Sequence, residues 1–235
     1  MKVEVVQNLI SNSKEFDFHI HSNFSFDSIL PAKKIIKTAA IRGLQGVAIT
    51  DHNTIKGGLE ARKVVKELKS NLQVIIGEEV RTEFGDLIGL FLTEEIKSKK
   101  FDEMVDEIKE QDGFVILPHP FKSMNLIPMD VLNKLDAIEV LNGRTHPLLN
   151  KKAQYIADKH NIPCIGGSDA HLNNEIGRIR TIFPKGVDEI DNSTILRKTL
   201  RQSKCSVFGK ESSKFYCYIS LGIKILKKKH IWGGV

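Results

Sequence analysis

Cysteine is scarce in this sequence. The 235-residue chain has three, Cys164, Cys205 and Cys217, too few and too scattered for a disulfide framework or a paired-cysteine metal site. A reducing cytoplasm is therefore the expected setting. No apolar run approaches the roughly 20 residues that a membrane helix needs. The N-terminus lacks the basic region, apolar stretch and small-residue cleavage site of a signal peptide. There is no sequence repeat, Pro- or Ser-rich linker or low-complexity block. With 41% hydrophobic and 27% charged residues, the composition is that of a globular protein with a substantial core, not a disordered one.

Basic residues outnumber acidic ones, 35 to 29, for a formal charge of +6. A basic protein invites a nucleic-acid reading, but the charge is unevenly placed. From Arg197 to Val235 there are ten basic residues and one acid, Glu211, a balance of +9 that leaves residues 1–196 at −3. The body is mildly acidic and the tail strongly basic.

Hydrophobic spacing predicts strands over residues 15–21, 46–50, 72–76, 86–92, 114–117, 137–141 and 162–165. Helices are predicted over 32–42, with Pro31 at its start, and over 59–68, 102–111 and 149–160. This rhythm argues for an α/β fold with a mainly parallel sheet. About seven such strands would close as a barrel.

Five of the eight histidines, His19, His21, His52, His119 and His171, fall at or just after a predicted strand's C-terminal end. Asp27, Asp51, Glu79 and Asp169 occupy similar places. In α/β barrels these ends form the active-site face, so separate segments would converge on one cavity. His19 and His21, two apart on a strand, would share a face and chelate together. Imidazole with carboxylate suits zinc, manganese or iron, where an all-oxygen set would suggest magnesium or calcium. The eight candidate ligands are His19, His21, Asp27, His52, Glu79, His119, Asp169 and His171. They exceed the four that one tetrahedral ion takes, which implies two to three divalent ions. Taken singly, each has a plainer explanation: a hydrogen-bonded strand-end histidine, or, for Asp27 and Asp51, a helix cap. The joint pattern is what argues for a metal site.

Five segments in order resemble the motifs of the polymerase and histidinol phosphatase (PHP) superfamily: Asp17-Phe-His-Ile-His21, Ile49-Thr-Asp-His52, Gly77-Glu-Glu79, Leu117-Pro-His-Pro120 and Gly167-Ser-Asp-Ala-His171. The resemblance spans about residues 15–182. It implies a distorted seven-stranded (β/α) TIM-like barrel, over residues 1–204, with a metal cluster at the strand C-terminal ends. It places a first ion with His19, His21, Glu79 and Asp169, a second between Glu79 and His119, and a third with Asp27, His52 and His171. Asp27 stands where some members have histidine. A further second-ion ligand, histidine in some members, corresponds to Asn142 or Glu139 here. Asp17 is expected to orient a ligand imidazole from behind, as metal-bound histidines usually require.

The activity implied is metal-dependent hydrolysis of a phosphate ester, with water activated between ions roughly 3.5 to 4 Å apart. His19, His21, Glu79, His119 and Asp169 would form the catalytic set. Arg178 is the first candidate to grip a phosphate oxygen, its alternative being a surface ion pair. Lys122 and Arg144, just past strand ends, are others. Substrates compatible with the resemblance include a phosphorylated small molecule, a nucleotide, an oligonucleotide and a phosphotyrosine peptide. A PHP-type binding module without turnover and a nucleic-acid-binding protein are the competing classes. The second is motivated by the tail, residues 205–235, and steep salt dependence would identify it. An apolar stretch over residues 215–226 precedes Lys227, Lys228, Lys229, His230 and Trp232. It reads either as a helix packed on the barrel or as a contact for anionic membrane or nucleic acid.

Overall fold

Strand β1 (Glu15–Ile20) alternates polar and apolar residues, yet five of its six positions are buried. A strand buried on both faces belongs inside a layered fold. The computed structural model describes residues 13–184, 193–202 and 205–232, with side chains to 228. Within it the chain runs β1, α1 (Ala32–Ile41), β2 (Gly46–His52), α2 (Lys56–Leu68), β3 (Gln73–Thr82) and β4 (Gly85–Leu90). There follow α3 (Phe101–Glu110), β5 (Phe114–Leu117), α4 (Met129–Leu132), β6 (Ala137–Asn142), α5 (Pro147–His160), β7 (Cys164–Gly167) and β8 (Ile179–Ile182). The chain ends with α6 (Ser193–Gln202), β9 (Ser206–Gly209) and α7 (Lys214–Trp232).

All nine strands join one sheet, in the order β7-β6-β5-β4-β3-β2-β1-β8-β9. A bridge between Ile20 and Ala170 brings the β7 end back to β1, so the sheet nearly closes as a barrel. Two expectations need correction. The sheet is mixed rather than mainly parallel, because β3–β4, β4–β5, β1–β8 and β8–β9 pair antiparallel. The cause is local: Glu83 and Phe84 are a two-residue connection between β3 and β4, and only an antiparallel hairpin can be joined so tightly. The second concerns residues 206–209, read from sequence as part of the tail. They form β9 and pair with β8, so the boundary expected at 204 cuts through the sheet.

One apolar cluster fills the barrel interior, with Phe16, Phe18, Ala48, Ile75, Ile88, Phe114, Ile116, Ala137 and Ile165 drawn from seven strands. Leu196 and Leu200 of α6 join it. Two further clusters pack α1 and α2 on one flank and α3 and α5 on another. The opposite end of the barrel, beyond the C-terminal ends of β1, β2 and β5–β7, carries the polar residues. There α7 is docked rather than free. Buried Ser220 accepts a hydrogen bond from Arg144 Nη2 (2.8 Å), and Lys227 Nζ donates to the carbonyls of Asn23, Ser25 and Ser28 at 2.8, 2.7 and 2.6 Å. No helix among the described residues is long and apolar enough to cross a membrane.

Candidate metal centre

The register of β1 against β2 shifts between Asp17 and Ile20. Such a bulge re-aims side chains beside a site. Here it separates Asp17 from the histidines with which simple alternation groups it. Asp17 accepts from Ser168 N (2.9 Å), Ser168 Oγ (2.6 Å), Gly177 N (2.7 Å) and His19 N (3.3 Å). It ties β1 to the loop after β7 through backbone amides and the Ser168 hydroxyl, and touches no imidazole nitrogen. The residue that orients the His19 ring is Glu139, whose Oε1 lies 3.0 Å from His19 Nδ1.

Hydrogen bonds behind the rings assign their tautomers. His19 Nδ1–H donates to Glu139, which leaves a lone pair on Nε2. Ser25 Oγ donates to Asp51 Oδ1 (3.0 Å) and accepts from His52 N (3.0 Å), so at His21 Nδ1, 3.0 Å away, it accepts again. His21 Nε2 is then also a bare acceptor. His171 Nδ1 donates to the Asp169 carbonyl (2.8 Å), freeing its Nε2. The two Nε2 atoms of His19 and His21 stand 3.1 Å apart. Glu79 Oε2 is 3.4 and 3.2 Å from them, and Asp169 Oδ1 is 3.7 and 3.4 Å. Four acceptors facing one another need a cation. The edge of a tetrahedron around an ion bound at about 2.0–2.1 Å is about 3.4 Å, close to the 3.1–3.4 Å separations among His19, His21 and Glu79; Asp169 groups instead with His19 and His119. The donor set fits a transition metal.

A group of His19, His119 and Asp169 overlaps the first, and two more adjoin it. Glu79 Oε1 meets His119 Nε2 at 3.0 Å, and Asp86 completes a set whose ligand atoms lie within 4.8 Å of one another. His21, Asp27, His52 and His171 make the other, with Asp27 Oδ2 at 3.1 Å from His171 Nε2 and 3.4 Å from His52 Nε2. All eight expected ligands therefore converge, and Glu79 is shared. Asp86 was missed by sequence reasoning. It is the second residue of β4, and in a parallel strand it would lie at the far end of the barrel. The antiparallel hairpin pairs it with Arg81 and carries it to the site. The short loop before Gly85, whose φ is +98°, was the available signal.

Several expected roles change. Glu139 and Asn142 are not free to ligate: Glu139 Oε2 accepts from His119 N and Asn142 Nδ2, both at 2.9 Å, and Asn142 Oδ1 accepts from Arg144 N and Thr145 Oγ1, both at 2.9 Å. Neither Asp51 nor Asp27 caps a helix. Asp51 instead takes Ser22 N and Ser22 Oγ at 2.6 Å and shapes the loop that supplies Ser25. Gly57 is required beside it, since a Cβ there would fall 1.8 Å from Asp51 Oδ2. Arg178 does not line the cleft; its Nη2 donates to the Glu211 carbonyl (3.4 Å). Arg144 and Lys122 do line it. Glu175 holds Arg144 at Nε (2.9 Å) and Nη2 (2.7 Å), and Lys122 Nζ lies 2.9 Å from Asp169 Oδ2. His119 (φ 30°) and Asp169 (φ 53°) adopt left-handed backbone, a strain typical of functional sites.

Burial alone would raise the carboxyls of Glu79 and Asp169. Neighbouring groups outweigh it and hold both well below the usual range: the His52 and His19 imidazoles beside Glu79, and Lys122 and the His19 imidazole beside Asp169. Burial would depress His21, but hydrogen bonds with Asp169 and Glu79 lift it to about 9. Protons and metal thus compete for the same atoms. In the metal-free protein His21 binds a proton more tightly when folded than unfolded, so its stabilising contribution is complete below about pH 6.5. It is lost as the pH rises towards about 9. Thermal melts from pH 6.5 to 9 in chelator are expected to fall with pH, and Mn²⁺ affinity by calorimetry to rise over the same window. A flat affinity profile would contradict this tautomer and charge assignment.

The PHP domain model matches residues 17–162, and that for a PHP-associated region matches 147–204. Two uncharacterized proteins of Methanocaldococcus jannaschii are similar. MJ1587 is 39% identical over 144 residues, covering 54% of this chain and 81% of its own. MJ0417 is 35% identical over 172 residues, covering 68% and 67%. Among solved structures, a two-domain Bacteroides vulgatus protein containing a predicted PHP-like metal-dependent phosphoesterase superposes with a TM-score of 0.70. Its identity is 17%, over 89% of this chain and 69% of that one. At that identity the likeness concerns the fold.

Proposed function

Because the chain belongs to the PHP domain family, we propose that it is a metal-dependent phosphoesterase, hydrolysing a phosphate ester at the cleft above β1, β3, β5 and β7. The observation that carries this reading is the acceptors of His19, His21 and Glu79 at 3.1–3.4 Å from one another, with three overlapping ligand groups that add Asp169, His119, Asp86, Asp27, His52 and His171.

His19, His21, Glu79 and Asp169 would hold one ion, Glu79, Asp86 and His119 a second, and Asp27, His52 and His171, beside His21, a third. Manganese, zinc and iron all suit the set. Bound ions supply positive charge for phosphate and a water of lowered pKa. The chain's own contribution is orientation. Glu139 and Ser25 fix the ligand rings, and Asp51 fixes Ser25. Lys122 meets Asp169, which holds its ammonium firmly charged although burial opposes this. Lys122 is thus a hydrogen-bond donor to a phosphate oxygen rather than a base. Arg144 is immobilised through Nε and Nη2, while its Nη1 has no partner among the described residues and can donate to a second oxygen. These two cations offset a floor rich in carboxylates.

The test is elemental analysis of purified protein together with phosphate release from p-nitrophenyl phosphate in Mn²⁺ or Zn²⁺. Two to three metal equivalents and metal-dependent release are expected. A reproducible absence of metal, with no release on adding Mn²⁺, would show a non-catalytic member instead.

A further inference from the structure

The matched family regions end at residue 204, yet one wall of the cleft comes from beyond them. Cys217, Ser220, Leu221 and Lys224 of α7 line the same cavity, of about 400 Å³, as Glu79, His119 and Asp169. Their spacing of three and four residues places them on one helix face. The volume falls within the range of small-molecule sites.

The cations of this cleft differ in what they already hold. Arg81 is paired with Asp86, Lys122 with Asp169 and Arg144 with Glu175. Lys224 has no carboxylate partner among the described residues. Its ammonium stands 4.7 Å from the centroid of Phe26, which stacks on His52 at 4.6 Å and 8°. Phe26 thus sits against both Lys224 and the imidazole of His52. The same ring gives the ammonium a defined position through cation–π attraction. One helical turn away, the Ser220 hydroxyl accepts from Arg144, and its own hydrogen is not taken by another described residue. Lys227 anchors this part of α7 to the Asn23–Ser28 loop, so the two donors are held in place.

We propose that α7 forms a second anion subsite, built from Lys224 and Ser220, which binds a non-reacting carboxylate or phosphate group of a small phosphate ester. The inference rests on the phosphoesterase reading and narrows it. The substrate is a compact molecule with two anionic groups, one delivered to the ligand cluster and the other to the helix. Arg144, hydrogen-bonded to Ser220, links the two positions.

Binding of non-hydrolysable probes reads the subsite without requiring turnover. The full chain in Mn²⁺ is titrated calorimetrically with phenylphosphonate and 4-carboxyphenylphosphonate, and with propylphosphonate, 3-phosphonopropionate and 1,3-propylenebisphosphonate, which vary spacing and the second group. At least one dianionic-group probe is expected to bind about tenfold tighter than its single-headed counterpart, the scale of one charge-assisted contact. Lys224→Met is expected to reduce that gap to under twofold, Ser220→Ala to narrow it, and Lys228→Met, on an exposed part of the helix, to keep it. The carboxylate and bisphosphonate arms identify which second group is preferred. Equal binding of paired probes to the wild type overturns the subsite while leaving the hydrolase reading intact. So does an equal loss for both probes in Lys224→Met, which would place Lys224 on the metal-side phosphate. Absence of phosphonate binding altogether overturns both.

Discussion

Replacing His19 and His21 together by alanine is expected to abolish Mn²⁺- or Zn²⁺-dependent phosphate release. The two rings contribute two of the three members of the ligand group formed with Glu79. What is left, Glu79 Oε2 and Asp169 Oδ1, is a carboxylate pair without the imidazoles that orient it. Metal assistance is worth several kcal/mol of transition-state stabilisation. At about 1.4 kcal/mol per tenfold, its loss lowers the rate by about 10³-fold or more. Elemental analysis of the double variant should show at least one equivalent fewer than the wild type, and circular dichroism should show the barrel retained. Full activity in a folded double variant would remove the metal assignment.

The second large effect is expected at Glu79. Its two oxygens serve different groups: Oε1 meets His119 at 3.0 Å, while Oε2 lies within 3.4 Å of His19, His21 and His52 nitrogens. Glu79→Gln keeps the volume but replaces one acceptor by a donor and removes the charge. In a buried site that charge is not replaced by solvent. Two metal positions should weaken together, with activity falling by about 10²- to 10³-fold, as ligand loss costs each site. His119→Ala is the control, because it leaves the group of His19, His21 and Glu79 intact. Metal content and Mn²⁺ titration of the two variants discriminate. Equal losses in both would mean that Glu79 does not bridge.

Much of this site was legible in the linear order of residues. The five histidines and Asp27, Glu79 and Asp169 could be read as strand-end positions because strand periodicity and short apolar runs mark where each strand stops. Direction and register were not legible. Asp86 sits at the start of its strand, and only the pairing of β4 against β3 brings it beside Glu79. Asp17 obeys the same alternation as His19 and His21, yet the bulge in β1 detaches it from them. Arg178 lies close to His171 in the chain but turns to the Glu211 carbonyl, while Arg144, 27 residues before His171, lines the cleft.

The tail shows the same division. Its charge of +9 was countable from the sequence, and the number suggested a separate docking module. In the structure β9 extends the sheet, Lys227 is spent on three carbonyls and Lys224 faces the cleft. By itself the sequence determined the alternation of strands and helices, the ligand types and their places at strand ends. These follow from short-range rules of periodicity and coordination chemistry. Only the tertiary structure decided that Asp86 joins the site, which arginine reaches the cleft and where the basic helix lies. Those depend on strand direction, a one-residue bulge and closure of the sheet, all long-range contacts with no local signature.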